Sequence, residues 1–196
     1  MLTLDEGAYA VRLARSTMED CINKTTTEQD EPAGEFKEDR GVFVTLRKKE
    51  GLRGCIGYPL PISPLFSAII DSAINAATRD PRFMPVESEE LEEITVEVTV
   101  LTPPEVIEVE PEDLPENVEV GRHGLIVKRG PNQGLLLPQV PIEHGMDVED
   151  FLSHTCIKAG LSPVAWLEDG TEVSRFEGQI FEEVEPYGEI VEKKLK

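Results

Sequence analysis

The sequence predicts an α+β fold with a largely antiparallel sheet that is built from hairpins and flanked by helices. Short segments rich in apolar residues predict strands, and most of them pair across short glycine-containing turns, as strands of hairpins do. Segments with the apolar spacing of amphipathic helices lie near both ends of the chain and between the hairpins. This arrangement is typical of α+β folds rather than of a parallel doubly wound sheet. The sequence contains neither a GxGxxG nor a P-loop pattern, so we expect no nucleotide cofactor.

The first part of the chain predicts a helix followed by a hairpin. Residues 4–22 place apolar side chains three and four positions apart, and the spacing of a capping box precedes them. A polar loop over residues 23–40 follows. Residues 42–47 and 52–57 then predict two strands that are joined by a charged turn ending in glycine.

The middle of the chain predicts a second helix, a charged loop and a further strand. Ser63 as N-cap, followed by proline, begins a helix over residues 64–78, and the many alanines of this helix indicate close packing on a sheet. Residues 79–85 form an irregular charged loop. A short acidic helix over residues 89–93 precedes residues 94–100, whose strict alternation predicts a half-buried strand.

The last part of the chain predicts a second hairpin, a helix and a final strand. After a long acidic connection, residues 125–128 and 135–137 form two strands around a glycine-rich turn. Residues 147–159 form a helix that starts at an aspartate cap and ends before a glycine. Residues 173–181 predict the last strand, and residues 189–196 predict a mobile tail.

The net charge argues against nucleic-acid partners, and the lengths of the apolar runs argue against a membrane span. The 196 residues carry 39 Asp and Glu against 19 Lys and Arg, and this net charge of −20 repels phosphate backbones. No apolar run approaches the roughly 18 residues that a membrane span needs. The N-terminus has neither the basic start nor the apolar stretch of a signal peptide, so we expect a cytoplasmic protein.

The cysteines and histidines do not suggest a metal centre. Cys21, Cys55 and Cys156 lack CxxC spacing, which argues against a disulfide framework and against a zinc ribbon. His154 lies two positions before Cys156 in a predicted helix, where residues two apart do not face each other. We therefore predict no metal site.

The segment Leu52–Gly57, which reads LRGCIG, is the most informative in the chain. Alternate residues of a strand share a face, so we expect Arg53 and Cys55 to lie together on the face away from the core. A neighbouring cation lowers the pKa of a thiol and increases its thiolate fraction. Cys55 is therefore a candidate nucleophile or acid, and Arg53 is the group that would lower its pKa or hold a substrate. Alternatively, Cys55 only fills space in a tight strand.

Four further residues are candidate substrate-binding groups close to this pair. Gly54 and Gly57 would allow close approach of the backbone, either to a ligand or to a neighbouring strand. Asp80 and Arg82, in the charged loop, would shape a pocket. The alternative for these two residues is an ion pair that fastens the loop.

His123 and Gln139 complete the set of candidate site residues. His123 lies on a turn between glycines and is the best candidate for a general base. The alternative is a turn histidine that is hydrogen-bonded to the backbone. Gln139 follows a proline at a strand end and would orient a substrate amide or carbonyl.

Two classes of function fit these residues. The first is an enzyme that acts on a small polar or anionic substrate through a cleft containing Cys55, Arg53 and His123. The second is a non-catalytic interaction or regulatory module, in which the same cleft binds a partner protein.

The hexapeptide resembles the signature of the AMMECR family, which is named for the Alport syndrome, mental retardation, midface hypoplasia and elliptocytosis chromosomal region. Other segments resemble the family in the expected order, and the last of them resembles its prokaryotic branch. The matching segments are Leu52–Gly57, Ala76–Phe83, Gly121–Leu125, Leu136–Val140 and His154–Leu161. The chain departs from the family pattern at Met146, where tryptophan is expected, and we expect a local change in packing there.

The resemblance implies a single AMMECR-type domain over residues 1–196, made of two α+β lobes with the hexapeptide near a cleft between them. It implies no settled activity, because both enzymatic and regulatory roles have been suspected for the family. It also implies a Memo-like protein and a radical SAM protein as candidate partners, since some prokaryotic relatives are associated with such proteins.

Overall fold

A computed structural model describes residues 1–28, 34–49 and 51–193. Its α-helices and strands, in chain order, are α1 (Leu4–Asn23), β1 (Val42–Lys48), β2 (Gly51–Tyr58), α2 (Leu65–Thr78), β3 (Ile94–Leu101), β4 (Glu105–Val106), β5 (His123–Arg129), β6 (Asn132–Leu136), α3 (Gln139–His144), α4 (Val148–Lys158), β7 (Glu172–Glu183) and β8 (Ile190–Lys193). Short 3-10 helices cover Gly34–Lys37, Ser88–Glu93, Pro111–Asn117 and Ala165–Leu167. None of the helices in these ranges is long and apolar enough to cross a membrane.

The described residues divide into two compact units. The first contains the described residues of Met1–Leu101 together with those from Gln179 onward, and the second contains Thr102–Gly178. The boundary near the C-terminus therefore lies within β7. The predicted loop over residues 23–40 is described only in part, because residues 29–33 lie outside the described ranges.

The first unit is a sheet that packs against two helices. β2, β1, β3 and the second part of β7 lie side by side in that order, and β8 pairs with β7. The pairs β1–β2, β1–β3 and β7–β8 are antiparallel. α2 packs on β1 and β2, whereas α1 packs on α2 and β3. The core between them is apolar and includes Leu13, Met18, Ile69, Val44 and Val98.

The start of α1 confirms the predicted capping box, whereas the start of α2 differs from the prediction. The Thr3 hydroxyl accepts the Glu6 N–H, and the Glu6 carboxylate accepts the Thr3 N–H, which satisfies two backbone donors at the helix start. α2 begins at Leu65 instead, with Pro64 as its N-cap and no side-chain cap. The expected cap at Ser63 was therefore wrong by one position.

The second unit is a smaller sheet with one long helix. β6, β5 and the first part of β7 lie side by side, and β4 pairs with β7. The pairs β5–β6 and β5–β7 are antiparallel, and α4 packs on β5 and β6. Its core includes Leu125, Val127, Phe151, Leu152 and Trp166. The predicted α+β class with a largely antiparallel sheet is therefore confirmed.

Several elements appear where the sequence did not predict regular structure, among them α3 and β8. α3 follows β6 directly, so that Gln139 is the first residue of a short helix rather than part of a strand end. Residues 190–193 form β8 in place of part of the expected mobile tail, and residues 194–196 lie outside the described ranges. β8 is held by the preceding strand, since Ile180 of β7 lies opposite Lys193, and the Lys193 ammonium contacts Glu182 at 2.7 Å.

Candidate functional site

Cys55 lies on the outer strand of the first unit, and the charged loop after α2 is bound to its backbone. Among the described strands, β2 has β1 as its neighbour on one side, so backbone groups on its other side need different partners. The Cys55 N–H donates to Asp80 Oδ2 at 2.8 Å, and the Cys55 carbonyl accepts from Arg82 Nη2 at 3.2 Å. Asp80 and Arg82 therefore take the place of a neighbouring strand at this residue.

The Asp80 carboxylate is buried and is held by the same arginine. Arg82 Nε donates to Oδ1 at 2.9 Å, Arg82 Nη2 donates to Oδ2 at 2.7 Å, and the Arg82 backbone N–H donates to Oδ1 at 3.1 Å. The Arg82 guanidinium holds the pKa of Asp80 well below its usual range, and the Cys55 N–H adds to this effect. Of the two interpretations that the sequence allowed, the ion pair that fastens the loop is the arrangement present.

Arg53 is engaged by Glu90 and by the backbone of the same loop. Its Nε and Nη2 donate to the two carboxylate oxygens of Glu90 at 3.1 and 2.8 Å. Its remaining donors reach the carbonyls of Met84 at 3.0 Å and Pro85 at 3.3 Å. The guanidinium lowers the pKa of Glu90 to about 2, and a pair of this kind offsets the charge of Arg53. We expected Arg53 to act on the thiol or a substrate, but its donors are used to hold residues 84–90.

An aromatic ring links the two arginines. The ring centroid of Phe83 lies 5.9 Å from Arg53 Cζ and 5.6 Å from Arg82 Cζ. Both distances are within the range of cation–π attraction. Phe83 therefore adds a third contact that keeps the loop against β2.

The thiol of Cys55 is half-buried and has one hydrogen-bond donor. Thr45 lies directly opposite Cys55 on β1, and its hydroxyl donates to Cys55 Sγ at 3.3 Å. The N–H and carbonyl of Cys55 both point away from β1, so the two residues form a non-hydrogen-bonded pair, in which side chains approach most closely. Glu97 lies opposite Thr45 on β3, so a carboxylate occupies the same row of the sheet.

The two glycines of the hexapeptide are required by packing within the unit. A Cβ atom at Gly54 would lie 2.2 Å from the carbonyl oxygen of Ala76 in α2. A Cβ atom at Gly57 would lie 2.2 Å from the carbonyl oxygen of Val42 in β1. Because real Cβ atoms do not approach so closely, the glycines allow α2 and β1 to contact β2. Of the two uses that the sequence allowed, close approach to a neighbouring element explains both positions, and binding of a substrate by either glycine stays a prediction.

His123 is the first residue of β5 in the second unit and is buried. Its Nδ1 accepts the Glu119 N–H at 3.0 Å, so the neutral ring carries its proton on Nε2. Burial lowers the pKa of His123, and the nearby Arg175 lowers it further. A neutral ring whose Nδ1 is already occupied is a hydrogen-bond donor rather than a general base. This geometry favours the alternative of a histidine bonded to backbone.

The candidate residues fall into two groups. Cys55, Arg53, Asp80 and Arg82 lie together in the first unit, whereas His123 and Gln139 belong to the second. The expected cleft that would unite the two groups stays a prediction. Within the described ranges, no group of three or more His, Cys, Asp or Glu side chains is arranged to hold a metal ion.

Sequence reasoning missed two residues whose side chains contact the hexapeptide. Thr45 could not be found by counting residues back across the hairpin turn, because a regular hairpin would place Val44 opposite Cys55, and the register shift between Leu46 and Arg47 brings Thr45 there instead. Glu90 had no sequence signal either, since it lies 37 residues after Arg53 in a short acidic helix of similar carboxylates.

The chain is similar to archaeal proteins over nearly its whole length. It is 58% identical over 200 residues to a protein of Methanosarcina mazei, with 100% of both chains covered. It is 52% identical to a protein of Methanocaldococcus jannaschii, with 100% of this chain and 98% of that protein covered. The crystal structure of an uncharacterised Pyrococcus horikoshii protein superposes with a TM-score of 0.80 at 51% identity, covering 96% of this chain and 97% of the other. Because the AMMECR1 family model also matches residues 11–181, the chain belongs to the AMMECR1 family.

Proposed function

We propose that the first unit is a cysteine-dependent enzyme module for a small polar or anionic substrate. In this proposal the Cys55 thiol is the reactive group, and the Arg82 guanidinium holds the substrate. The hydrogen bond of 3.3 Å from the Thr45 hydroxyl to Cys55 Sγ is the observation that carries it. This hydrogen bond holds the sulfur atom in place on β2, and sulfur is the atom through which cysteine acts as a nucleophile.

Arg82 suits the role that the sequence suggested for Arg53. The Arg82 side chain is 53% exposed, whereas that of Arg53 is 14% exposed. Asp80 fixes the orientation of Arg82, and a planar guanidinium held in this way presents donors to a carboxylate or phosphate group. The proposal assigns no proton transfer to His123.

Alkylation of the three cysteines tests this proposal. We expect Cys55 to react faster than Cys21, which is also half-buried, and much faster than the buried Cys156. In each reaction the thiolate displaces iodide and forms a sulfur–carbon bond. We further expect iodoacetate to be favoured over iodoacetamide at Cys55 but not at Cys21, because Arg82 attracts the carboxylate. Peptide mass spectrometry after timed quenching measures the site-specific rates.

Substitutions at Thr45 and Arg82 test whether these two residues determine the alkylation rates of Cys55. Thr45→Val removes the hydroxyl at similar size and is expected to slow alkylation of Cys55. Arg82→Lys keeps the positive charge and is expected to retain the preference of Cys55 for iodoacetate, whereas Arg82→Gln is expected to lose that preference. Thermal unfolding midpoints check that each variant is folded. Equal and slow labelling of Cys55 and Cys21 would contradict the proposal.

The exposed loop beside the site favours a second candidate function, a protein-interaction module. Met84 is 81% exposed. Its backbone carbonyl nevertheless accepts a hydrogen bond from Arg53, which holds the loop in place. A rigidly presented apolar side chain is suited to contact a partner protein. The Memo-like and radical SAM proteins that the family resemblance suggests are the partners to examine.

Substitution of exposed apolar side chains separates the two candidates. If the unit is an interaction module, Met84→Gln weakens binding to a purified Memo-like protein, and Cys55→Ser does not. Ile62→Gln is the matched control, since Ile62 is 67% exposed in a different loop. Binding that is equally unaffected by both loop substitutions would contradict the module.

A further inference from the structure

The second unit contains a cavity of about 340 Å³ beside the first residue of β5. Its walls come from the segment after β3, from β5 and from the first part of β7. The Thr102 hydroxyl accepts the Glu177 N–H at 2.9 Å, which holds two of these segments together. The volume lies within the range of about 300–1,000 Å³ that is usual for ligand pockets.

A histidine ring lines this cavity. His123 lines it and is only 8% exposed, and its Nδ1 is occupied by the Glu119 N–H. Nε2 therefore carries the proton of the neutral ring. This N–H is the hydrogen-bond donor that the ring can offer to a ligand acceptor in the cavity.

Charged groups of both signs line the same cavity. Arg175 is held in place by the Asn117 carbonyl at 2.8 Å and contacts the Glu105 carboxylate at 3.4 Å. Glu105 and Glu177 place two carboxylates on the lining, and Glu177 also accepts from Arg122 Nη2 at 3.0 Å. An anion would be repelled by these carboxylates, and a cation would be repelled by Arg175. A ligand that carries both charges is attracted by each group.

The remaining walls are apolar. The Phe176 ring lies over Gly124, where a Cβ atom would be 2.2 Å from the ring Cζ. Pro103 and Pro104 form another part of the lining. A small apolar side chain would therefore find hydrophobic contacts beside the charged groups.

We propose that this cavity binds a small zwitterion of the α-amino acid class. The ligand carboxylate accepts from His123 Nε2–H and from Arg175, and the ligand ammonium donates to Glu105 and Glu177. An apolar ligand side chain packs against Phe176. The proposal does not depend on Cys55, which belongs to the first unit.

Titration calorimetry on the full chain tests the charge requirement. The probes are L-leucine and L-phenylalanine, each compared with its N-acetyl form, which lacks the ammonium, and with its amide, which lacks the carboxylate. We expect at least one free amino acid to bind at millimolar concentration, and both of its capped forms to bind at least about tenfold more weakly. Absence of binding by both free amino acids, or equal binding of the capped forms, would overturn the proposal.

Substitution at the exposed carboxylate locates the site. Glu105→Gln is expected to weaken binding of the free amino acid about tenfold and to have little effect on its N-acetyl form. The Glu105 side chain is 74% exposed, so folding is not at risk. Glu108→Gln, an exposed carboxylate of the same connection, is the matched control and leaves affinity unchanged. If Glu105→Gln binds as tightly as the unsubstituted protein, the site assignment is wrong. Cys55→Ser is expected to bind the amino acid normally, which separates this proposal from that for the thiol.

Discussion

The backbone N–H of Cys55 donates to the Asp80 carboxylate at 2.8 Å, although 25 residues separate the two in the chain. This hydrogen bond joins the hexapeptide strand to the loop after α2. Arg82 also joins the loop to the strand, because it donates to the Cys55 carbonyl. The hexapeptide and the loop are therefore held together at Cys55 by two hydrogen bonds. The thiol is therefore displayed on a strand whose backbone is held on both sides.

Removal of the Asp80 carboxylate is expected to destabilise the protein. Asp80→Ala leaves the Cys55 N–H without its acceptor and Arg82 without its partner, and we expect a loss of about 2–3 kcal/mol in the free energy of unfolding. Asp80→Asn keeps an acceptor and loses about 1–2 kcal/mol. Urea denaturation measures both values, with the exposed Asp169→Ala as control. A loss of unfolding free energy equal to that of the control would contradict the role of Asp80 in holding the loop against β2.

The pair of Arg53 and Glu90 predicts a loss of stability in acid. The pKa of Glu90 falls from its ordinary value of 4.5 to about 2 in the folded protein, so its contribution is fully present above pH 4.5. That contribution is lost as the pH falls towards 2, because the folded protein must then bind the proton. Glu90→Gln is expected to lower the unfolding free energy by about 1–2 kcal/mol at neutral pH.

The pH dependence of that difference distinguishes the pair from simple packing. The difference between the unsubstituted protein and Glu90→Gln is expected to shrink as the pH falls from 4.5 towards 2, and denaturant midpoints at a series of pH values measure it. Glu89→Gln, an exposed neighbour in the same short helix, serves as control. A difference that stays constant over this range is incompatible with the ion pair.

A methyl group at Gly54 is expected to separate α2 from β2. The new Cβ atom would meet a backbone oxygen of α2 at 2.2 Å, and backbone cannot move aside as a flexible side chain can. We expect Gly54→Ala to cost about 3 kcal/mol in unfolding free energy. Gly51→Ala, where the nearest atom is 3.3 Å away, is expected to cost less than about 1 kcal/mol. Thermal and urea midpoints compare the two variants, and equal midpoints would refute the packing explanation.

Serine substitutions are expected to separate an accessible cysteine from a core cysteine. Cys55→Ser retains an acceptor for the Thr45 hydroxyl on a half-buried side chain, so we expect a cost below about 1 kcal/mol. Cys156→Ser places a hydroxyl in a fully buried apolar core and is expected to cost roughly 1–3 kcal/mol. Denaturant midpoints measure both. A larger cost at Cys55 than at Cys156 would indicate that Cys55 is a core filler.

The sequence by itself determined the class of fold and most of its elements. Apolar periodicity depends only on neighbours along the chain, so it identified α1, the hairpin of β1 and β2, and the strand β3. The alternation of the strand also predicted correctly that Gly54 faces the core and that Cys55 faces away from it. It failed at Leu52, which is 39% exposed, because the register of β1 and β2 shifts between Leu46 and Arg47.

Only the tertiary structure decided which side chains meet. Periodicity tells which face of a strand a residue occupies, but partners such as Glu90 for Arg53 depend on how segments distant in the chain pack together. The same holds for His123, whose tautomer is set by the Glu119 N–H and whose pKa is lowered by burial. The sequence therefore identified which residue types form the candidate site. It did not identify their charges, donors and partners, because these are set by long-range packing.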